Sequence, residues 1–93
     1  MNKKKLRKIR NQIDILDTKL LSLVKKRTHL VQKVIKLKKF KKQIVDKKRI
    51  GKVLLNIKKN SIKKNIDPKV TNKIWKSMIA GYIEFEKRNF KKK

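Results

Sequence analysis

The sequence predicts an all-α protein in which each chain contributes three helices, the first of them long. Three observations predict this class. Apolar residues recur at alternating spacings of three and four from Leu6 to Leu37, which is typical of a helix with one apolar face. Neither Gly nor Pro occurs in residues 2–50. The segment Asn65-Ile66-Asp67-Pro68 is typical of a boundary between helices. We expect one domain over residues 1–93, with helices at about 4–40, 46–64 and 68–90.

The first helix is too long for one chain to cover. Its apolar residues form a heptad stripe whose spacing continues through position 27. A helix of this length measures about 50 Å, whereas a compact globule of this size has a radius of gyration of about 12 Å. We therefore expect an intertwined homodimer, in which the long helices of two copies pack on each other around a two-fold axis. The stripe comprises Leu6, Ile9, Ile13, Leu16, Leu20, Leu23, Leu30, Val34 and Leu37.

The second and third helices have recognisable starts. Asp46 is a candidate N-cap for the second helix, because its carboxylate can accept a hydrogen bond from a backbone N–H of the first turn. Asp67 is a candidate N-cap for the third helix, and Pro68 follows at the first helical position, where a missing N–H costs nothing. Apolar residues then recur at helical spacing in both segments. They are Ile50, Val53, Leu54 and Ile57, then Val70, Ile74, Trp75, Met78, Ile79, Tyr82, Ile83 and Phe85.

The chain is strongly basic, with 32 Lys and Arg against 6 Asp and Glu and a net charge of +26. Such a charge attracts nucleic acid and anionic membranes. However, only five of the 32 cations are Arg, the residue that recognises phosphates and base edges best. Lys, Ile and Asn are abundant, and all three have codons made of A and T alone, so mutational bias accounts for much of the charge. We do not expect nucleic acid as the partner, but a basic nucleic-acid-binding or scaffolding dimer is the alternative function.

Several kinds of chemistry are excluded by composition. The chain has no Cys and one His, His29, so we expect no thiol nucleophile, no iron–sulfur cluster and no transition-metal site. No apolar run approaches the roughly 20 residues that span a bilayer. The Lys-rich N-terminus leads into no apolar stretch of the signal-peptide type. We therefore expect a cytoplasmic protein without a membrane partner.

Polar side chains at apolar positions are the candidates for a binding site. Arg27 occupies a heptad position where Leu would continue the stripe, and a cation buried there requires an anion. Lys38 lies 11 residues later, only about 20° around the same helix face. Arg10 lies one position off the stripe, where an antiparallel partner would bring it toward the far half of the other long helix. On the third helix, Glu86 lies on the apolar face four residues after Tyr82.

Each candidate also has a simpler structural interpretation. An Arg in a coiled-coil seam often sets the register by pairing with an acid, or extends to solvent. Lys38 has lysines on both sides and could be one more solvated cation. Asp46 could be a helix cap alone, and Glu86 an ordinary acid of a terminal turn.

Four segments, which include every charged candidate except Glu86, are informative together through their order and spacing. The segments are Leu6-Arg7-x-x-Arg10-x-x-Ile13-Asp14-x-x-Asp17, Leu20-Leu21-x-Leu23-Val24 leading to Arg27, Val34 and Lys38, then Asp46-x-x-Arg49, and finally Ile66-Asp67-Pro68. From about Leu6 to Phe90 the chain resembles the all-helical class of chorismate mutases, whose three-helix protomers intertwine into a dimer.

The resemblance implies the Claisen rearrangement of chorismate, a small dianion, to prephenate on the route to phenylalanine and tyrosine. The reaction is pericyclic and requires no nucleophile, cofactor or proton relay, so the resemblance implies no cofactor. The catalyst holds the substrate and stabilises charge on the breaking ether oxygen. By this resemblance Arg27 and Arg49 bind carboxylates, Arg10 completes that grip from the other protomer, and Lys38 donates to the ether oxygen. Arg suits the first task through its bidentate geometry.

Glu86 falls where members of that class carry Gln or Glu opposite the lysine. A carboxyl group donates a hydrogen bond only when it is protonated, so turnover should decline as pH rises and Glu86 loses its proton. An isochorismate-pyruvate lyase, which uses a similar cationic pocket, and a relic that keeps only the fold are further alternatives.

Two positions depart from the pattern of that class. Ile50 follows Arg49 where an acid usually binds the ring hydroxyl, so that contact is lost or comes from the backbone near Asp46. Tyr82 stands where a small hydroxyl residue is common, and its ring could crowd the pocket or offer its phenol. Both departures favour modest activity, and dependence on an activating partner enzyme is one form that this could take.

Overall fold

The computed structural model describes residues 2–91, and the regular structure in that range is helical throughout. Helix α1 spans Lys3–Leu37, α2 spans Lys47–Lys63 and α3 spans Pro68–Asn89. A single turn of 3-10 helix, Lys41–Gln43, lies between α1 and α2. The predicted all-α class, with three α-helices of which the first is long, is confirmed for the described residues. The intertwined homodimer stays a prediction.

Helix α1 ends at Leu37, three residues before the predicted end at Phe40. Beyond Leu37 the backbone N–H groups of Lys39 and Phe40 donate to the side-chain oxygen of Gln43, at 2.8 and 2.9 Å. They are therefore not available to the carbonyl groups of the preceding turn. A side chain that offers the backbone another partner in this way competes with the helix, and no apolar pattern reveals it.

Helices α2 and α3 begin with the predicted caps. The Asp46 carboxylate accepts from the backbone N–H of Arg49 at 3.0 Å. The Asp67 carboxylate accepts from the N–H of Lys69 at 2.9 Å, and Pro68 occupies the first turn of α3. Each carboxylate satisfies one of the backbone donors that a helix start leaves without an intrahelical partner.

The end of α2 is a Schellman motif, and it determines where the chain turns toward α3. Asn65 has a positive φ of 56°, a conformation that Asn adopts more readily than most residues. The N–H of Asn65 donates to the carbonyl of Ile62 at 3.2 Å, and that of Ile66 donates to the carbonyl of Ser61 at 2.9 Å. These bonds satisfy the last carbonyls of α2 and leave Asp67 in place to cap α3.

The chain divides into two compact units, which within the described range are residues 2–32 and residues 33–91. The first unit is helical from Lys3 onward and belongs to α1. In the second unit α2 packs on α3, and the contact includes two buried hydroxyl groups, those of Ser61 and Thr71, 2.7 Å apart. Among the described residues, the apolar side chains buried below a tenth of their surface are Ile35 and Ile44. Within residues 2–91 no helix is both long enough and apolar enough to cross a membrane.

Candidate active site

Lys38 and Glu86 form a partly buried ion pair in the second unit. The Lys38 Nζ atom lies 3.3 Å from Glu86 Oε2, and the two side chains are 18% and 11% exposed. Lys38 is the first residue after α1, and Glu86 lies on α3 near its end. The fold therefore brings together two residues that are 48 positions apart in the sequence. Each of them is a charged residue at a position where the sequence pattern predicts an apolar one.

The geometry of this pair leaves both groups able to bind something else. A strong hydrogen bond between an ammonium and a carboxylate is about 2.7–2.9 Å long, so a separation of 3.3 Å describes a loose pair. An ammonium has three donors, and the bond to Glu86 uses one of them. The pair can therefore offer further donors to an anion or ether oxygen without first separating.

An open cavity of about 530 Å³ lies beside Lys38. Half of its six lining residues are lysines, because Lys47 and Lys48 of the first turn of α2 also contribute. Asp46 lines it as well, but one oxygen of that carboxylate accepts the capping bond from Arg49. This surplus of positive charge suits a small anionic ligand. The lining residues are Lys38, Gln43, Val45, Asp46, Lys47 and Lys48.

Arg49 and Tyr82 belong to the same unit as the ion pair. Arg49 is exposed in the first turn of α2. Tyr82 is half-buried on α3, one turn before Glu86, so the two side chains share a helix face. The ring of Tyr82 packs edge-to-face on Phe85, with centroids 6.2 Å apart and an interplanar angle of 89°. The aromatic contact restrains the orientation of the phenol.

Arg10 and Arg27 belong to the other unit, on the part of α1 that precedes residue 33. Arg10 is exposed. Arg27 is half-buried, and one terminal nitrogen of its guanidinium is buried. The candidates that the fold gathers within one unit are thus Lys38, Asp46, Arg49, Tyr82 and Glu86, and the binding roles predicted for all seven residues stay predictions.

Gln43 is the residue that the sequence did not single out. Its side-chain oxygen holds the backbone of the segment that carries Lys38, and the residue also lines the cavity. One sequence signal could have revealed it: a Gln three residues after the position where a new turn begins is the arrangement of a capping box. In residues 2–91 no group of three or more His, Asp or Glu side chains is placed to hold a metal ion.

The described residues thus form an all-helical structure with a partly buried Lys–Glu pair and a cavity lined by three lysines beside it. The description of the matching family is more specific. The chorismate mutase type II family matches residues 9–87, which is most of the chain, and this chain belongs to that family, a family of isomerases. The resemblance inferred from the sequence is confirmed. Comparisons with curated proteins and with solved structures gave no match.

Proposed function

We propose that the protein catalyses the rearrangement of chorismate to prephenate, as an intertwined homodimer that supplies phenylalanine and tyrosine synthesis. The observation that carries this proposal is the Lys38–Glu86 pair, which lies inside the family match and beside an open cationic cavity. Family membership supports the activity in general, and the pair supplies the donors that this chemistry needs.

The reaction takes place within one molecule: an ether C–O bond breaks while a C–C bond forms, and no proton or electron is exchanged with the protein. Negative charge develops on the ether oxygen as the bond breaks. In the proposed mechanism Lys38 donates a hydrogen bond to that oxygen, and protonated Glu86 donates a second. Donors fixed before the reaction stabilise such charge without reorganising during it.

The two carboxylates of chorismate require cations of fixed geometry. We assign this task to Arg27 and Arg49, with Arg10 reaching across from the other protomer. The guanidinium fork binds carboxylates in a bidentate way. The backbone near Asp46 would bind the ring hydroxyl, and the phenol of Tyr82 would face the same space.

The exposure of the α1 stripe supports the dimer. Ile9, Leu16, Leu20 and Leu23 are each exposed by more than half of their surface, at 55%, 56%, 56% and 58%. Apolar patches of this extent on a soluble chain usually mark an interface. A second copy is the occupant we propose, because a heptad stripe is complementary to its own copy in a two-fold arrangement.

Activity is tested by following the loss of chorismate absorbance with purified protein. Arg27→Ala should lower kcat/KM by roughly 100-fold, the loss of a charged bidentate contact. Arg88→Ala, at an exposed Arg in the last turn of α3, is the matched control and should leave kcat/KM unchanged. If wild type and Arg27→Ala were equally inactive, with and without cell extract, the proposal would fail and the scaffold or relic alternative would replace it.

Contribution of Arg10 across the interface is tested by mixing two inactive variants. Arg10→Ala and Lys38→Ala subunits, unfolded together and refolded, form heterodimers in which one site combines the intact Lys38 of one chain with the intact Arg10 of the other. At random pairing the mixture should regain about a quarter of wild-type activity. If both residues of a site came from one chain, no heterodimer would contain an intact site, and mixing would restore nothing.

The lyase alternative is tested with the same protein. Isochorismate is supplied, and salicylate is measured by its fluorescence. Salicylate formation faster than prephenate formation would assign the lyase reaction instead.

The nucleic-acid alternative is tested by measuring the binding of an oligonucleotide and of chorismate at 50 and 200 mM salt. Phosphate-driven binding should weaken steeply over this range, whereas a preorganised pocket that binds one small dianion should respond less. Oligonucleotide binding that weakens steeply, with no chorismate binding at either salt concentration, would favour the nucleic-acid function.

A further inference from the structure

The connection between α1 and α2 is held by the side chain of Gln43 together with two backbone hydrogen bonds of the 3-10 turn, from Gln43 to Phe40 at 3.0 Å and from Ile44 to Lys41 at 3.1 Å. Gln43 Oε1 accepts from the backbone N–H of Lys39 at 2.8 Å and from that of Phe40 at 2.9 Å. Both donors would otherwise have no partner within a helix, because α1 ends at Leu37. The carbonyl oxygen thus uses both of its lone pairs on the two residues that directly follow Lys38.

The ends of this segment are fixed independently. The N–H of Lys38 donates to the carbonyl of Ile35 at 3.1 Å, which ties the residue to the last turn of α1. Ile44, next to Gln43, is 4% exposed and therefore anchored in the second unit. The backbone bonds of the 3-10 turn restrain residues 40–44, and the two bonds to the Gln43 side chain restrain Lys39 and Phe40, which join Lys38 to that turn. Lys38 projects from this backbone to meet Glu86.

We propose that Gln43 is a positioning residue for the reaction, one that acts through Lys38 by fixing the backbone from which that ammonium projects. The inference rests on the proposed function for its kinetic consequence. It does not require Gln43 to touch substrate, although Gln43 lines the same cavity, because its carbonyl oxygen is already occupied by the backbone. We call the two hydrogen bonds from the backbone of Lys39 and Phe40 to Gln43 the clamp. A displacement of about 1 Å at a reacting group lowers the rate by a large factor, so loss of the clamp should weaken binding of the transition state more than binding of the substrate.

The kinetic test uses Gln43→Met, which keeps the side-chain length and removes the acceptor, and Gln43→Glu, which keeps the acceptor. Gln43→Met should lower kcat roughly tenfold with little change in KM, and Gln43→Glu should restore most of kcat. Gln32→Met, the same change at an exposed position of α1, should behave as wild type. A Gln43→Met enzyme with wild-type kcat would overturn the proposal.

A double-mutant cycle separates positioning from a direct or a general structural role. In a Lys38→Met background, Gln43→Met should cause no further loss, because the group that it positions is already gone. If the two losses multiplied instead, Gln43 would act independently of Lys38 and the inference would be wrong.

Amide hydrogen exchange on wild-type protein tests the clamp without any turnover. The N–H groups of Lys39 and Phe40 should exchange more slowly than those of an unstructured chain, and Gln43→Met should remove that protection. Unprotected amides in wild type would overturn the clamp even if Gln43→Met failed to fold. If wild type turned over no chorismate while both amides were protected, the proposed function would fail and the clamp would stand.

Discussion

At the scale of single residues, stability and the proposed chemistry place conflicting requirements on the protonation of Glu86 in the Lys38–Glu86 pair. Both side chains are largely withdrawn from water, and each charge needs the other because an isolated buried charge is very costly. The proposed chemistry, however, needs Glu86 as a donor, which requires a proton on its carboxyl. The ion pair and the double donor therefore require different protonation states of Glu86.

This conflict predicts that wild type and Glu86→Gln differ in their dependence on pH. Wild type needs a protonated carboxyl as the second donor to the ether oxygen, because a carboxylate only accepts hydrogen bonds. Glu86→Gln carries an amide that donates at every pH, so its activity should not decline as the pH is raised. The measurement is kcat/KM against pH for both proteins, with Glu84→Gln, an exposed acid of the same helix, as the control. Parallel profiles for wild type and Glu86→Gln would remove Glu86 from the mechanism.

The two helix caps, Asp46 and Asp67, make the same kind of hydrogen bond and can be compared directly. Asp46 and Asp67 each accept one backbone N–H at the start of a helix, at 3.0 and 2.9 Å, so replacing either with Ala should destabilise the fold by about 1 kcal/mol. Asp46 also lines the cavity beside Lys38. We therefore expect Asp46→Ala to raise KM for chorismate roughly fivefold, through the loss of a fixed backbone at the binding site, and Asp67→Ala to leave KM unchanged.

Chemical unfolding and steady-state kinetics on the two Ala variants check this prediction. Asp46→Asn separates the cap from the charge, because Asn caps a helix about as well as Asp. It should restore stability, and it should restore KM if the backbone alone is what matters. An equal rise in KM for both Ala variants would show that the effect comes from general destabilisation.

At the scale of helices, the contact between α2 and α3 includes a buried polar group rather than only apolar side chains. Ser61 and Thr71 are 4% and 8% exposed. Each hydroxyl also has a carbonyl acceptor in its own helix, that of Ile57 for Ser61 at 2.6 Å and that of Pro68 for Thr71 at 3.4 Å, and either hydroxyl can donate to the other. The bond between the two hydroxyls forms in only one register of the helices. A shift of one helix along the other would break it, and each buried hydroxyl would keep only the carbonyl of its own helix.

The hydroxyl pair predicts a measurable coupling between the helices. Ser61→Ala and Thr71→Val each remove one hydroxyl, and the double-mutant cycle should give a coupling energy of about 1 kcal/mol. Urea unfolding of the four proteins measures it. Thr18→Val is the control, because the Thr18 hydroxyl is exposed and donates to the Asp14 carbonyl of its own helix. Additive losses for Ser61 and Thr71 would mean that the contact does not hold the register.

The sequence predicted the helix starts better than the features that depend on tertiary contact. The caps at Asp46 and Asp67 are local, since carboxylate and amide lie within three residues, and both are present as predicted. The predicted end of α1 was three residues too late, because the hydrogen bonds from the backbone of Lys39 and Phe40 to the Gln43 side chain leave no mark in the pattern of apolar residues. The Ser61–Thr71 pair joins residues ten positions apart on different helices, and nothing in either segment alone indicates it. Glu86 and Lys38 could be selected because polar residues on apolar faces are unusual, but only the fold provides their separation.

At the scale of the whole molecule, apolar exposure and net charge act in opposite directions. The α1 stripe leaves large apolar side chains in solvent, Leu37 by 80% and Leu30 by 60% of their surface, and burial of such area favours association. Each chain also carries a net charge of +26, and two such chains repel each other. Repulsion between exposed charges is screened by salt, with a Debye length of about 30 Å at 0.01 M and about 8 Å at 0.15 M, whereas apolar burial is not weakened by it.

The proposed dimer should therefore tighten as salt is added. We expect its dissociation constant to fall at least about tenfold between 0.02 and 0.3 M salt, as measured by analytical ultracentrifugation. Leu20→Lys places a charge in the stripe and should give monomers at every salt concentration. Leu21→Lys lies one position off the stripe, is 68% exposed in wild type, and should follow wild type.

Activity should be proportional to the dimer fraction in all three proteins, because Arg10 is proposed to come from the second copy. A complex that loosened with salt would instead be held by charge, as binding to a polyanion is, and equal behaviour of the two Lys variants would show that the heptad stripe is not the interface.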